Sequence, residues 1–353
     1  RCREPWMTKK AHRPSLRADR KSMIIVNASK TYNLATNKLS ALYPDALVVN
    51  NPAKPTPLDY QLNADGKVLI SAIFSWDLAL LKEVVEDACF YKQTIDIGGP
   101  AVMHNENDLR WSDKPVQIRH HHEAEHVAGS FPMTWTSRGC IRNCPWCIVP
   151  TIEGRVMNEY DDLHYAPLIL DNNFLACSDA HIERVLKMWS GRKVDWNQGL
   201  DARLYTPAFR ALVQKHQVKP TTWRFAYDSG GVGRHVQRAV EDLSHQGINK
   251  GRIRVCLLFC FNESEDEAIS RAKEIIGWGG SPYPMAYRPL DWPTRDYYVA
   301  PGWSRQRLVD FRRFYSRPWF WASMDFADYK PRKEVVAKRQ HRSFLDPYKR
   351  SDY

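Results

Sequence analysis

Three cysteines within eight consecutive residues, Cys140, Cys144 and Cys147, carry the strongest chemical signal in the chain. They have the spacing C-x3-C-x2-C inside the run Thr136-Ser137-Arg138-Gly139-Cys140-Ile141-Arg142-Asn143-Cys144-Pro145-Trp146-Cys147. Three thiolates on one short loop can ligate three irons of a cubane, because soft sulfur suits iron–sulfur clusters and such a loop wraps one corner. The fourth iron then stays open to a small molecule. Zinc is the competing ion, since C-x2-C pairs bind it, but a structural zinc site wants a fourth ligand at comparable spacing. His164 and Cys177 are the nearest later candidates, and neither forms a second C-x2-C or H-x3-H pair. A [4Fe-4S] cluster is favoured over zinc or unligated thiols.

A loop of this kind needs a rigid frame, and the surrounding pattern provides one. Apolar strand-like runs at Met133–Ser137, Leu168–Asp171, Val194–Leu200, Trp223–Asp228, Arg252–Asn262 and Pro284–Arg288 alternate with helical patterns at Ser178–Trp189, Thr206–Lys215, Gly233–Gln246 and Ser264–Ile276. Six βα units with right-handed crossovers predict an α/β fold, a partial (β/α)6 TIM-like barrel over residues 131–300. Residues 23–103 show a shorter alternation, with strands at Ile24–Asn27, Ala46–Asn50, Val68–Trp76 and Thr94–Ile97, which predicts a small Rossmann-like α/β domain ahead of the barrel. Residues 104–130 form a polar, His-rich linker, and residues 301–353 a basic, aromatic tail.

The cysteine run, its place after the first barrel strand and Trp146 just before the third cysteine resemble the radical S-adenosylmethionine superfamily, over about Met133–Arg288. The resemblance implies that the open iron chelates the amino and carboxylate groups of S-adenosylmethionine. One electron, from a donor such as flavodoxin or ferredoxin, then cleaves the sulfonium and releases a 5′-deoxyadenosyl radical that takes a hydrogen atom from substrate. The cofactors bring the difficult chemistry, and the protein brings orientation and exclusion of water. The small N-terminal layer, with Phe74-Ser75-Trp76-Asp77 and Gly98-Gly99-Pro100, is similar to the cobalamin-binding-like domain that precedes the barrel in several of these families. The D-x-H-x-x-G motif of axial-histidine binders is absent after the first strand, so cobalamin, and with it the alternative of a cobalamin-dependent radical methyltransferase, is expected only if it binds without that ligand. Methylthiotransferases use three further N-terminal cysteines, whereas only Cys2 and Cys89 precede this barrel.

In barrels of this type ligands gather at the carboxyl ends of strands. Asp171 and Asn173, in Asp171-Asn172-Asn173-Phe174, resemble an acidic strand-end motif of the superfamily and are candidates for the methionine end or ribose of S-adenosylmethionine. For Asn173, an Asx turn capping the next helix is an equal alternative. Gln198, Asp201 and Arg203 crowd the third strand end and suit either S-adenosylmethionine contacts or an ion pair fixing the rim. Asp228 and Ser229 end the fourth strand, where relatives carry Glu-Ser. Asn262 ends the fifth, before a helix N-terminus able to hold a carboxylate, and Arg288 ends the sixth. Cys177 suits a hydrogen-atom donor, although a small packed residue fits the burial habits of cysteine better. Cys256 and Cys260, spaced by four, are expected on one core-facing side.

The composition limits the class. The chain has 51 Lys and Arg against 40 Asp and Glu, a net charge of +11. Residues 1–22 account for +6 and residues 301–353 for +7, leaving the middle at −2. No run of about 18 apolar residues supports a membrane span. Eight cysteines in a chain of this length, three of them on one loop, do not resemble a disulfide framework, which suggests a reducing, cytoplasmic setting. Residues 1–22 lack the apolar run of a secretory signal and suggest upstream read-through rather than a transit peptide. His120, His121, His122 and His126 are expected on an exposed flap rather than at a metal. Arginines and aromatics of the tail, such as Arg305, Arg312, Trp303, Phe311 and Trp319, would suit a nucleic-acid base or nucleotide substrate, although an amphipathic segment closing the barrel accounts for them slightly better. The competing class is a non-catalytic iron–sulfur or zinc protein that binds nucleic acid through this tail.

Overall fold

The computed structural model of the chain describes residues 23–330, apart from 64–65, 106–108, 110–115, 120–126, 128–130, 293 and 295–296. The leader, the His120–His122 and His126 group and residues 331–353 lie outside the described residues. No described helix is long and apolar enough to cross a membrane.

Two parallel sheets organise the chain. The first contains β1 (Met23–Asn27), β2 (Leu47–Asn50), β3 (Lys67–Ser71), β4 (Thr94–Gly98) and β5 (Val116–Ile118), in the order β2-β1-β3-β4-β5. Its central strands are buried on both faces, as in sheets covered by helices on each side. Leu34–Leu42 (α1) follows β1 and Leu78–Phe90 (α3) follows β3, as their apolar spacing predicts. Three short elements of this unit escaped the sequence reading, one of them the helix α4 (Pro100–His104), which opens on Pro100. Pro57–Leu62 (α2) is set by a capping box between Thr56 and Asp59 with Pro57 at its first turn. β5 falls in the stretch read as linker, its three residues being too few to show a period.

The second sheet runs through β6 (Met133–Thr134), β9 (Leu168–Ile169), β10 (Lys193–Trp196), β11 (Lys219–Ala226), β12 (Ile253–Phe259) and β13 (Ser281–Ala286), six parallel strands paired in chain order. Between β6 and β9 sit a small antiparallel pair, β7 (Ser137–Arg138) with β8 (Asn158–Glu159), and a short helix, α5 (Val149–Ile152). Later crossovers are the helices α6 (Asp179–Met188), α7 (Pro207–Lys215), α8 (Gly233–His245) and α9 (Glu265–Gly277). In α8 the buried positions Val236, Ala239, Val240 and Leu243 follow helical spacing and leave the charged face outside. Ser264 and Glu267 form a capping box that starts α9, and its acidic first turn complements the helix dipole.

The two faces of this sheet differ in chemistry. Val194, Trp196, Trp223, Phe225, Val255, Leu257 and Phe259 join the large core under the helices. The opposite face carries Asp195 and Arg224, paired through two bonds of 2.6 and 2.7 Å, and Arg254, which lies 5.2 Å over the Tyr283 ring. Cys256 shares this polar face, where burial pushes its thiol up to about 11. Cys260 does not lie beside it. It sits past the end of β12 in a left-handed conformation (φ 69°) and turns into the apolar core, where its sulfur accepts the Ala300 N–H. The expected common face for Cys256 and Cys260 is therefore corrected, because the strand ends between them.

The helix α10 (Arg305–Tyr315) packs against β13 and buries Leu308, Phe311, Phe314 and Tyr315. Phe311 meets Phe259 at 4.6 Å and Trp303 at 5.7 Å between ring centroids. Arg307 pairs with Glu265 and Arg312 donates to the Tyr297 hydroxyl. Most of the tail's described aromatics thus fill the core of the second sheet, while Trp319 stays exposed. Phe311→Ala should lower stability by about 3–5 kcal/mol, read as a reduced midpoint in urea unfolding. A change below about 1 kcal/mol would show that α10 is not part of the core.

Candidate functional site

The cysteine loop leaves the second sheet between β7 and α5, and its path is set by residues on either side. Gly139 has φ 92°, and a Cβ there would stand 2.1 Å from the Val156 carbonyl oxygen, so only glycine fits this turn. Glu153, at the end of α5, accepts from the Gly139 N–H and the Asn172 amide, both at 2.8 Å, and from Arg138 at 2.7 Å. One carboxylate thus ties the start of the loop to its end and to the strand end after β9. Arg138 also lies over Trp135, 4.4 Å from the ring centroid.

Cys140, Cys144 and Cys147 are free and half-buried. The Cys147 N–H closes a turn on the Cys144 carbonyl at 3.0 Å, and the Cys147 thiol accepts from the Val149 N–H. Burial pushes the thiols of Cys144 and Cys147 up; the charge of Arg203 opposes this at Cys144. The Asn173 amide donates to Cys140 Sγ at 3.6 Å and to Asp201 at 3.4 Å, while its carbonyl oxygen is buried with no hydrogen-bond partner among the described residues. The Asx-cap alternative does not hold for Asn173: its side chain makes no cap, and Ser178 caps α6 instead.

Asp201 is the centre of a charged knot. It accepts from Arg203 through the backbone N–H and two guanidinium nitrogens, and from Arg142 Nε at 2.7 Å. Burial raises its pKa, but the hydrogen bonds from Arg203 and Arg142 outweigh that, and the carboxyl ends below its ordinary value. Arg142 went unnoticed in the sequence reading although it stands between the first and second cysteines; its partner lies 59 residues away, and no local pattern announces it. Trp146 donates to Asp228 and meets Phe261 edge-on at 5.4 Å. Burial pushes Asp228 up to about 6.

Other expected site residues lie elsewhere. Gln198, Ser229 and Asn262 are exposed at their strand ends, and none makes a side-chain hydrogen bond to this group among the described residues. Arg288 turns away, toward the first sheet, with its guanidinium 4.7 Å over the Trp76 ring. Asp171 is also corrected. Its buried carboxylate accepts from the Thr136 N–H at 2.6 Å, the Thr136 hydroxyl and the Ser137 hydroxyl at 2.8 Å, which leaves no face for a ligand. It joins the strand end after β9 to the one after β6.

Asp171, Cys177 and His181 bring one possible ligand atom each within 4.8 Å of one another. Hydrogen bonding accounts for this trio without an ion. Arg184 donates to His181 Nδ1 at 3.0 Å, so the ring proton sits on Nε2, which donates to Thr136 Oγ1 at 3.3 Å. No imidazole lone pair faces the trio. Cys177 is buried beside Ser137 and Asp171, its thiol pushed up to about 12 by burial, and it takes the packed role rather than that of a donor at the cysteine loop.

No family model matches the chain, and no curated protein matches it. Among solved structures, a ketoreductase domain from the bacillaene assembly line aligns with 86% of this chain and 78% of its own at 11% identity. The TM-score of 0.19 is too low to bear on fold or function.

Burial lowers the pKa of His181 below its usual 6.5, so the folded protein holds it neutral. Below about pH 6.5 the unfolded chain binds a proton that the folded chain refuses, and stability falls as pH falls. His181→Gln should flatten the loss of melting temperature between about pH 7 and 5. An equal loss in both proteins would place the titration elsewhere.

Proposed function

We propose that this chain is a radical S-adenosylmethionine enzyme in which Cys140, Cys144 and Cys147 hold one [4Fe-4S] cluster at the mouth of an open (β/α)6 barrel. The observation that carries the reading is the meeting of three free thiols on one loop with polar side chains from three other strand ends: Asn173, the Asp201–Arg203 pair and Asp228. The six-stranded parallel sheet in chain order, with one polar face, supports the barrel.

The donor set fits the group. Three sulfurs, with no His, Cys, Asp or Glu grouped with them as a fourth ligand among the described residues, suit a cluster with one open iron better than tetrahedral zinc. The N–H groups of Val149 and Asn173 aimed at two of the sulfurs stabilise thiolate charge. When bound, the cluster with S-adenosylmethionine supplies reductive cleavage of the sulfonium and hydrogen abstraction from substrate, driven by an electron donor such as flavodoxin or ferredoxin. The chain's own contribution is position and charge. Arg203 and Arg142 would offset the charge of three thiolates, and Asp201 keeps both guanidinium groups in place. The buried Asn173 carbonyl oxygen awaits a donor such as the ammonium or ribose hydroxyls of S-adenosylmethionine. Trp146, anchored on Asp228, holds the loop against the far strand ends.

The proposal does not include cobalamin. At the β1/β3 switch point of the first sheet, where such sheets bind ligands, Asn27, Ser29, Asn33, Ser71 and Asp77 are buried and bonded to one another, as in Ser29–Asp77 at 2.5 Å and Asn33–Ser71 at 3.0 Å. The burial of Phe311, Phe314 and Tyr315 also removes them as a stacking platform for nucleic acid, which weighs against the binding-protein alternative.

Anaerobic reconstitution should give about four irons per chain, brown absorption, and dithionite-dependent 5′-deoxyadenosine from S-adenosylmethionine. Replacing any of the three cysteines by alanine should abolish the product. Stoichiometric zinc with no cleavage would overturn the proposal.

A further inference from the structure

The cysteine loop comes to the surface between its three sulfurs. Ile141, Asn143 and Pro145 are exposed, while Cys140, Cys144 and Cys147 alternate with them and stay half-buried. A set of guanidinium groups borders this surface. Arg142 of the loop and Arg203 both donate to Asp201. Arg238, exposed near the start of α8, donates to the Tyr205 carbonyl at 3.4 Å, just past Arg203 in the chain. Arg234 lies one turn earlier on α8, also exposed, and donates to His235 at 3.4 Å. Burial first, and then the charges of Arg234, Arg238 and Arg203, push the His235 imidazole below its usual range, so these guanidinium groups act on one area. Neither Arg234 nor Arg238 has an acidic partner among the described residues. Asp242, one turn beyond Arg238, is held instead by Arg210 and the Tyr205 hydroxyl. Asp201 is thus the one carboxylate bonded within a group that holds Arg142, Arg203, Arg234 and Arg238.

We propose that this basic surface is the docking face for an acidic one-electron carrier protein of flavodoxin or ferredoxin type. The assignment rests on the radical reading in one respect: that chemistry consumes an electron at each cleavage, and the cysteine loop is where the chain must receive it. Electron transfer weakens steeply with distance, so the carrier must seat where the loop itself is exposed. In the transfer the carrier is oxidised by one electron and the group held by the three cysteines is reduced by one; no atom passes between the proteins. Exposed apolar Ile141 and Pro145 beside these arginines suit a small, transient interface, in which charge steers the encounter and sets its salt dependence. A nucleic acid suits the same charge less well. The residues of this surface include no exposed Phe, Tyr or Trp on which a base could stack, since Trp146 is half-buried edge-on to Phe261.

Calorimetric titration of the full chain with oxidised flavodoxin tests the docking without any turnover. At about 50 mM salt one flavodoxin should bind per chain, and either the double variant R234E/R238E or a rise to about 500 mM salt should weaken binding about tenfold or more. Cytochrome c, a basic carrier, should not bind. Both substitutions fall on exposed helix positions, so the variant keeps the melting temperature of the parent. In the reconstituted protein, 5′-deoxyadenosine formation driven by reduced flavodoxin should fall about tenfold in R234E/R238E, while the dithionite-driven rate stays that of the parent. Absence of flavodoxin binding, equal binding by parent and variant, or equal binding of cytochrome c would overturn the docking face. Tighter binding of a single-stranded RNA oligonucleotide than of flavodoxin, lost in the same variant, would overturn it in favour of a nucleic acid. The two readings fail separately. Charge-dependent flavodoxin binding without dithionite-driven cleavage sinks the radical reading and leaves the docking face standing, and cleavage without such binding does the reverse.

Discussion

A carboxylate buried at the junction of two strands holds the arrangement around the cysteine loop. Asp171 leaves the end of β9 and is bonded by Thr136 and Ser137, the residues that carry the chain from β6 into the loop. Burial raises its pKa, and the hydrogen bonds from Thr136 and Ser137 oppose that shift without cancelling it. His181 and Arg184 extend the network to α6, and Glu159 closes it on β8 through Ser178. The loop is thereby launched from a rigid point, as a ligand set that must hold its geometry requires.

A second anchor works from the far side. Asp201 draws Arg142 of the loop and Arg203 of its own strand end together, and Trp146 reaches Asp228 beyond them. The loop is short and has no extended secondary structure, so its shape comes from these long-range polar contacts more than from its own backbone. The thiols therefore sit near Arg203 and amide donors, which oppose the upward push of burial on Cys144 and Cys147 without cancelling it. On the other side of the loop, α5 packs against Pro100–His104 of the first unit.

The chain's periodicity made much of the fold legible. Each of the six expected strands of the second sheet exists, and each of the four longer helices begins and ends within a few residues of its expected place. Alternating apolar residues and caps such as Ser264 with Glu267 are local signals, and local signals survive in sequence. The cysteine spacing was legible for the same reason. Short pieces such as β5, β7 and β8 were not, because two or three residues carry no period.

What the sequence by itself determined was therefore the list of elements, their parallel α/β order and the clustering of three thiols on one loop. The tertiary structure alone decided which polar residues meet those thiols. It turned Asp171 inward and sent Arg288 toward the first sheet, parted Cys260 from Cys256 at a left-handed turn, and paired Arg142 with Asp201 across 59 residues. The physical reason is that a side chain's partner depends on strand register and crossover packing, which bring together residues whose separation along the chain records nothing of their contact.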